Sequence, residues 1–169
     1  MHCMACAVRR HANVIPVALT LIEHDGRLVM IQRTKGPLEG YWAPPAGHVE
    51  IGEPIAHAAI REAREESGLN IELRSLAGVY TQPAGSSGDS RMVISAYYGR
   101  SVDGVPVAGD DAGDIRLYRA GELPFQPPPN CGTSLEYWVY GVIQKLTAPW
   151  RRSPRDHLRL LSQHKEHNP

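Results

Sequence analysis

A short stretch of this chain spaces its acidic residues as a metal-dependent reaction would need them. Gly47 is followed after five residues by Glu53, and after seven more by Arg61-Glu62-Ala63-Arg64-Glu65-Glu66-Ser67-Gly68-Leu69. Residues three and four apart are neighbours on a helix. Glu62, Glu65 and Glu66 would therefore share one edge, with Glu53 at the helix start near enough to join them as a metal ligand. Carboxylates gathered on one edge repel one another, and a cation among them relieves that repulsion. Hard oxygen ligands suit Mg2+, or Mn2+, with water and phosphate oxygens completing the shell. Arg61 lies one turn from Glu65 and can orient it by an ion pair. An acidic helix with interleaved arginines is by itself an ordinary solvated helix held by i,i+4 pairs. Gly47 and Glu53 upstream, and Gly68-Leu69 downstream, turn the reading toward chemistry.

The neighbouring sequence supplies elements to hold these groups. Pro54 suits the first turn of a helix, where its missing N–H is not needed. The run from Ile55 to Ser67 holds no Gly or Pro, and Gly68 is a natural C-cap. Helical periodicity puts Ile55, Ala56, Ala59, Ile60 and Ala63 on one face, predicted to pack on a sheet. Strands are predicted over 14–23 and 27–33, joined by a hairpin turn at His24-Asp25-Gly26. A loop over 35–42 leads into a short strand. Further strands are predicted over 71–82, 92–102 and 114–120, the first two joined by a flexible loop over 85–89. The proline-rich stretch 121–130 cannot be regular structure. Residues 134–148 read as an amphipathic closing helix with Leu135, Trp138, Val142 and Leu146 inward. The class is α/β.

Every fixed position from Gly47 to Leu69 fits G-x5-E-x7-R-E-U-x-E-E-x-G-U, with Ala63 and Leu69 at the apolar places U. On these residues the chain resembles the Nudix hydrolases, enzymes that cleave nucleoside diphosphates linked to another moiety. The resemblance implies an α/β/α sandwich, a mixed β-sheet between helices, over residues 14–148. It implies Glu65 and Glu66 as metal ligands, Glu62 as ligand or base, the Gly47 carbonyl completing the shell, and Glu53 supporting the site. Arg61, Glu62 and Glu65 are then catalytic. In many members the base lies on a later loop, which here offers Asp110, Asp111 and Asp114, with Glu136 on the last helix. Asp111 is favoured, since its loop leads toward the helix carrying the glutamates. A solvated turn is the plainer reading of the three aspartates.

The substrate is less sharply written. Tyr80-Thr81-Gln82-Pro83 follows the motif by about a dozen residues. NADH pyrophosphatases carry Gln-Pro near this place and ADP-ribose pyrophosphatases a proline, so Gln82 and Pro83 are candidate substrate contacts. Ala84-Gly85-Ser86 lacks the aromatic residues of the NADH enzymes. Trp42, Tyr80 or Tyr97 could stack on a base, a contact worth about 1–3 kcal/mol; packing in the sheet or core is the plainer role. The leading reading is hydrolysis of ADP-ribose or a related dinucleotide or nucleotide sugar. Nucleoside triphosphate cleavage, as in mutator-type sanitation enzymes, is the alternative within the class. A non-catalytic nucleotide-binding regulator is the alternative outside it, and the retained glutamates weigh against that.

Composition agrees with one enzyme domain. The chain has 169 residues, 42% of them hydrophobic, and 18 basic residues balance 18 acidic ones. With no basic excess, the expected partner is a small nucleotide rather than nucleic acid. No apolar run reaches membrane-spanning length, and the N-terminus lacks a signal-peptide layout, so a cytoplasmic location is expected. Relatives of this kind are often homodimers. Residues 1–13 form an N-terminal segment in which Cys3 and Cys6 resemble half of a zinc ribbon. A zinc site needs four ligands, and His2, His11 and Cys131 are the evident supplements, so Zn2+ at Cys3 and Cys6 is not expected. Residues 149–169 read as a polar, basic tail.

Overall fold

The computed structural model describes residues 13–83, 90–130 and 133–151. The Cys3/Cys6 segment with its possible supplements His2, His11 and Cys131, the loop over 85–89 and the tail beyond residue 151 lie outside the described residues.

Strands β1 (Asn13–His24) and β2 (Arg27–Arg33) form the predicted hairpin, with Asp25 and Gly26 both at positive φ, 50° and 72°. Two short strands follow, β3 (Trp42–Ala43) and β4 (Ala46–His48), then helix α1 (Ile55–Ser67). Strands β5 (Leu69–Thr81) and β6 (Ser90–Gly104) pair antiparallel along nearly their whole length and therefore outrun their predicted bounds. Strand β7 (Ala112–Tyr118) and helix α2 (Ser134–Arg151) complete the order.

The strands make one mixed sheet, ordered β3-β2-β1-β6-β5, with β4 against β1 and β7 against β2. β1 is parallel to β6 and antiparallel to β2. β1 and β2 pair only beside their turn, at Glu23–Leu28 and His24–Arg27. Farther along, β4 pairs with β1 at Val17 to Leu19, and β3 pairs with β2 at Ile31 and Gln32. Pro44 and Pro45, fully buried, join β3 to β4 across this split. The Pro45 carbonyl accepts the Thr20 amide at 2.9 Å.

Side chains alternate across the sheet. Val17, Leu19 and Leu21 of β1, with Leu28 and Met30 of β2, pack with Val142, Leu146 and Trp150 of α2. On the opposite face Ile22 and Val29 meet Ala63, and Ala18 meets Ala58 and Ala59. The result is the expected sandwich, with α1 and α2 on opposite faces of the sheet. α2 runs to Arg151 with Pro149 inside it, and Trp150 is buried, so the predicted tail begins within the helix. Among the described residues no helix is long and apolar enough to cross a membrane.

The buried face of α1 differs from the predicted one. It consists of Ala58, Ala59, Glu62, Ala63, Glu66 and Ser67, whereas Ile55 and Ile60 are 38% and 37% exposed. The reason is close approach: Thr20 Oγ1 donates to the Ala59 carbonyl at 3.3 Å, a separation only small residues permit. Pro54 lies just before the helix, extended at ψ 137°. Gly68 ends it at φ 70°, its N–H bonded to the Arg64 carbonyl at 2.9 Å. A side chain on Gly68 would strike the Val105 carbonyl.

Ala59→Leu is expected to cost about 1–3 kcal/mol through overpacking at this contact. Urea unfolding should show a lower midpoint with an unchanged slope.

Candidate active site

Helix α1 turns two carboxylates inward at the sheet's rim. Glu66 is almost fully buried, and its Oε2 accepts the Ala46 amide of β4 at 2.8 Å. Burial pushes the Glu66 carboxyl up to about 7, which the Ala46 amide and the nearby Arg33 guanidinium offset only in part. Burial also raises Glu62, one turn earlier, against the pull of Arg61. Gly47 lies so close that a Cβ there would fall on the Glu62 carboxyl group. The glycine is therefore required by approach, because it lets the backbone of β4 meet the glutamate directly.

Arg61 gathers the remaining acids. Its Nε and Nη2 bind both oxygens of Glu53 at 2.9 Å, a bidentate pair. Nη1 donates to Glu62 Oε1 at 2.7 Å and to Glu65 Oε2 at 3.0 Å, and Nη2 also donates to the His48 carbonyl at 2.9 Å. The guanidinium is held well above its ordinary range, chiefly by Glu53. Reciprocally, Arg61 and the Glu50 amide hold Glu53 down at about 2. The expected Arg61–Glu65 pair is present. Glu65 itself faces outward, its side chain 46% exposed.

The loop over residues 105–111 packs on the end of α1. The Val107 amide donates to the Ser67 carbonyl at 3.0 Å and the Gly109 amide to the Glu66 carbonyl at 3.3 Å. Asp110 and Asp111 are thereby near enough for their charges to push Glu62 and Glu66 further upward. Asp110 sits in the left-handed region at φ 45°. The Asp111 carboxylate is paired with Lys35 Nζ at 2.5 Å. Asp114 lies on β7 opposite Gln32, its carboxylate on the Ile115 amide at 2.8 Å and 3.4 Å from Arg116 Nε. Glu136 belongs to a capping box at the start of α2. Its Oε2 accepts the Thr133 amide at 2.6 Å, and Thr133 Oγ1 accepts the Glu136 amide at 3.3 Å. The spacing Thr133-x-x-Glu136 carried that signal in the sequence.

The predicted substrate contacts are spread more widely. Trp42 lies half-buried on β3 with the Arg116 guanidinium 4.7 Å from its ring and Tyr118 edge-on at 6.3 Å. Gln126 clamps its backbone through N–H and C=O. Gln82 is buried, its Oε1 accepting the Met92 amide at 3.0 Å, and the Pro83 carbonyl accepts Arg91 Nη1 at 2.8 Å. Both lie where β5 leads into its connection to β6, away from the Leu69–Gly104 end of the pair. Tyr80 packs on the α2 side with Lys145 Nζ 5.4 Å from its ring, and Tyr97 packs on the α1 side.

Two cavities adjoin the acids. An open cleft of about 650 Å³ runs along Glu53, His57, Arg61, Arg64 and Glu65. A smaller one of about 110 Å³ meets Gly47 from the other side, walled by Arg33, Val17, Ile94 and Ile143. Among the described residues no three His, Cys, Asp or Glu side chains already surround one point, since Arg61 draws Glu62 and Glu65 to itself. The donor set still fits a hard divalent cation. Glu66 Oε1 makes no hydrogen bond among the described residues, and burial weakens both inner acids. A nearby cation is the charge that such carboxylates lack. Arg33 and Lys35 carry only the basic run Arg33-Thr34-Lys35 as a local mark in the sequence, and the Ala46 amide carries none.

The burial of Glu66 has a pH signature. Its folded value lies above its free value of 4.5. The folded state therefore holds the proton more tightly, and the stability present below about pH 4.5 is lost as pH rises through 7. With a chelator present, Glu66→Gln should stabilise the fold by about 1–3 kcal/mol at pH 8, shrinking toward zero near pH 4.5. Denaturant titrations at both pH values check the sign.

Comparison with known proteins gives this geometry a family. A model of the NUDIX domain matches residues 12–133. An ADP-ribose pyrophosphatase of Methanocaldococcus jannaschii is 39% identical over 106 residues, 62% of this chain and 61% of that one. The NAD-capped RNA hydrolase NudC of Shigella flexneri is 30% identical over 139 residues, 76% of this chain and 48% of that one. This chain thus spans less than two thirds of either relative's length. A NUDIX hydrolase structure from Nitrosomonas europaea superposes with a TM-score of 0.62 at 26% identity, covering 73% of this chain and 67% of that one. With its motif, its sandwich and its domain match in agreement, the chain belongs to the Nudix hydrolase family.

Proposed function

We propose that this protein hydrolyses the diphosphate linkage of a nucleoside diphosphate derivative, ADP-ribose or a related dinucleotide or nucleotide sugar. The products are a nucleoside monophosphate and a phosphorylated fragment, and the reaction depends on Mg2+ or Mn2+. The observation that carries this reading is the inward pair Glu62 and Glu66, with the Gly47 backbone against it and Arg61 behind it. The name of the Methanocaldococcus relative supports ADP-ribose as the first substrate to test.

Glu62, Glu65, Glu66 and the Gly47 carbonyl would hold the ion, with Glu53 committed to Arg61 as its support. When bound, the ion neutralises phosphate oxygens and acidifies water. The chain's own residues supply the rest. Arg61 fixes Glu62 and Glu65, so that the carboxylates are set before substrate arrives. Water attacks phosphorus, its proton passes to a carboxylate, and the second phosphate leaves with the bridging oxygen. Glu62, raised by burial above an ordinary carboxylate, suits a proton acceptor when it is not engaged by the ion. Asp111 on the loop beside it is the alternative acceptor. No step of this scheme calls on residues 1–11.

In 18O water with Mg2+, ADP-ribose should give AMP and ribose 5-phosphate, with label in a phosphate and no bond to carbon broken. Glu66→Gln should lower turnover by at least about 10²-fold, as loss of a metal ligand does. Wild-type turnover by that variant at limiting Mg2+ would reject the metal assignment, and no turnover of any nucleotide by the wild type would favour a binding protein. Deleting residues 1–11 should leave turnover largely intact. Stoichiometric zinc, lost together with activity in Cys3→Ser, would contradict that.

A further inference from the structure

The loop that reaches α1 is fastened from a second place. Past the bulge between Gln32 and Arg33, the Thr34 amide and the Thr34 Oγ1 both donate to the Asp111 carbonyl, at 3.0 and 2.7 Å. Lys35 Nζ binds the Asp111 carboxylate at 2.5 Å. Gly113 leaves room for this fit, since a Cβ there would lie 2.9 Å from Thr34 Cγ2. From the other side of the same loop, Val107 and Gly109 bond the last carbonyls of α1, and a Cβ on Gly109 would strike the Glu65 carbonyl. The β2–β3 connection, the loop over 105–111 and the turn of α1 carrying Glu65 and Glu66 therefore form one mechanical chain.

We propose that Thr34 and Lys35 act through Asp111 as a positioning staple, which holds this loop on α1 and thereby fixes Glu65 and Glu66. The inference rests on the hydrolytic reading of those carboxylates. It gives Asp111 the work of a positioning residue in place of that of proton acceptor. The Lys35 side chain is 68% exposed and that of Asp111 35%, and ion pairs so exposed add little to overall stability. The pair's value is in where it holds the loop.

A double-mutant cycle on the full chain tests the staple. Lys35→Met and Asp111→Asn should each lower kcat roughly 3- to 10-fold with KM near wild type, and the double variant should be no worse than either single, because both remove one interaction. Thr34→Val should behave alike, with Thr34→Ser restoring the rate. Melting temperatures should stay within about 4 °C of wild type. Amide hydrogen exchange should quicken roughly tenfold at Val107 and Gly109 in Lys35→Met and Thr34→Val, but not within β5 and β6. Two kinetic results would overturn the staple. One is Asp111→Asn falling more than about 100-fold below Lys35→Met, with additive losses in the double variant, which would make Asp111 the proton acceptor. The other is a raised KM at unchanged kcat in Lys35→Met, which would make Lys35 a substrate contact. Unchanged exchange at Val107 and Gly109 also rejects the staple, whatever the turnover. Quickened exchange in these variants together with no turnover of any nucleotide by the wild type would instead reject the hydrolytic reading and leave the staple standing.

Discussion

The rest of the structure depends on two carboxylates being held on the sheet-facing side of a helix. Burying a carboxylate is unfavourable, and Glu66 shows it in a carboxyl pushed up to about 7. Such a group persists only if the surrounding fold fixes it. Here the fixing comes from small residues. Ala58, Ala59 and Ala63 bring α1 down onto β1 and β2, so that Glu62 and Glu66, on the same face, reach the rim of the sheet instead of open water. Larger residues at these alanines would lift the helix and return both acids to solvent.

The sheet is shaped to meet them. β1 and β2 pair at their turn and then separate, and the buried Pro44-Pro45 step carries the chain across the opening from β3 to β4. Proline suits this crossing because it asks for no backbone donor partner. The crossing delivers the Ala46 amide to Glu66 and the bare backbone of Gly47 to Glu62. One local irregularity in the sheet thus supplies a hydrogen-bond donor, a close approach and a cavity wall together.

Much of this was legible in the sequence, for identifiable reasons. Strand and helix positions follow from periodicity and from Asp25-Gly26, Gly68 and the proline-rich stretch, which are local signals. The Arg61–Glu65 pair follows from helix geometry. What escaped depended on tertiary approach. The predicted apolar face of α1 included Ile55 and Ile60 because they are apolar, yet contact with Thr20 and Ala18 selected the smaller side chains. The bond of Asp114 to the Ile115 amide leaves no mark in the sequence, because a carboxylate reads alike whether it bonds its own backbone or faces a substrate, whereas the capping role of Glu136 is written in Thr133-x-x-Glu136. Lys35 and Asp111 meet across a separation in sequence that no pattern of one segment could reveal.

Arg61 links these levels in one side chain. It sits between an exposed acid, Glu65, an inner acid, Glu62, and the residue before the helix turn, Glu53, and it also binds the His48 carbonyl of β4. Five donors in a planar fork allow this, whereas an ammonium could satisfy neither the bidentate grip on Glu53 nor the spread of partners. Its positive charge also balances acids that would otherwise repel one another. The consequence is a division of labour within one cluster. Glu53, held at about 2, stays ionised and anchors the guanidinium, while burial raises Glu62 and makes it hold a proton more readily than Glu53 does. Two glutamates on the same arginine thus acquire different chemistry from burial and bonding alone, which is what a hydrolytic site needs and what an ordinary surface ion-pair network would not provide.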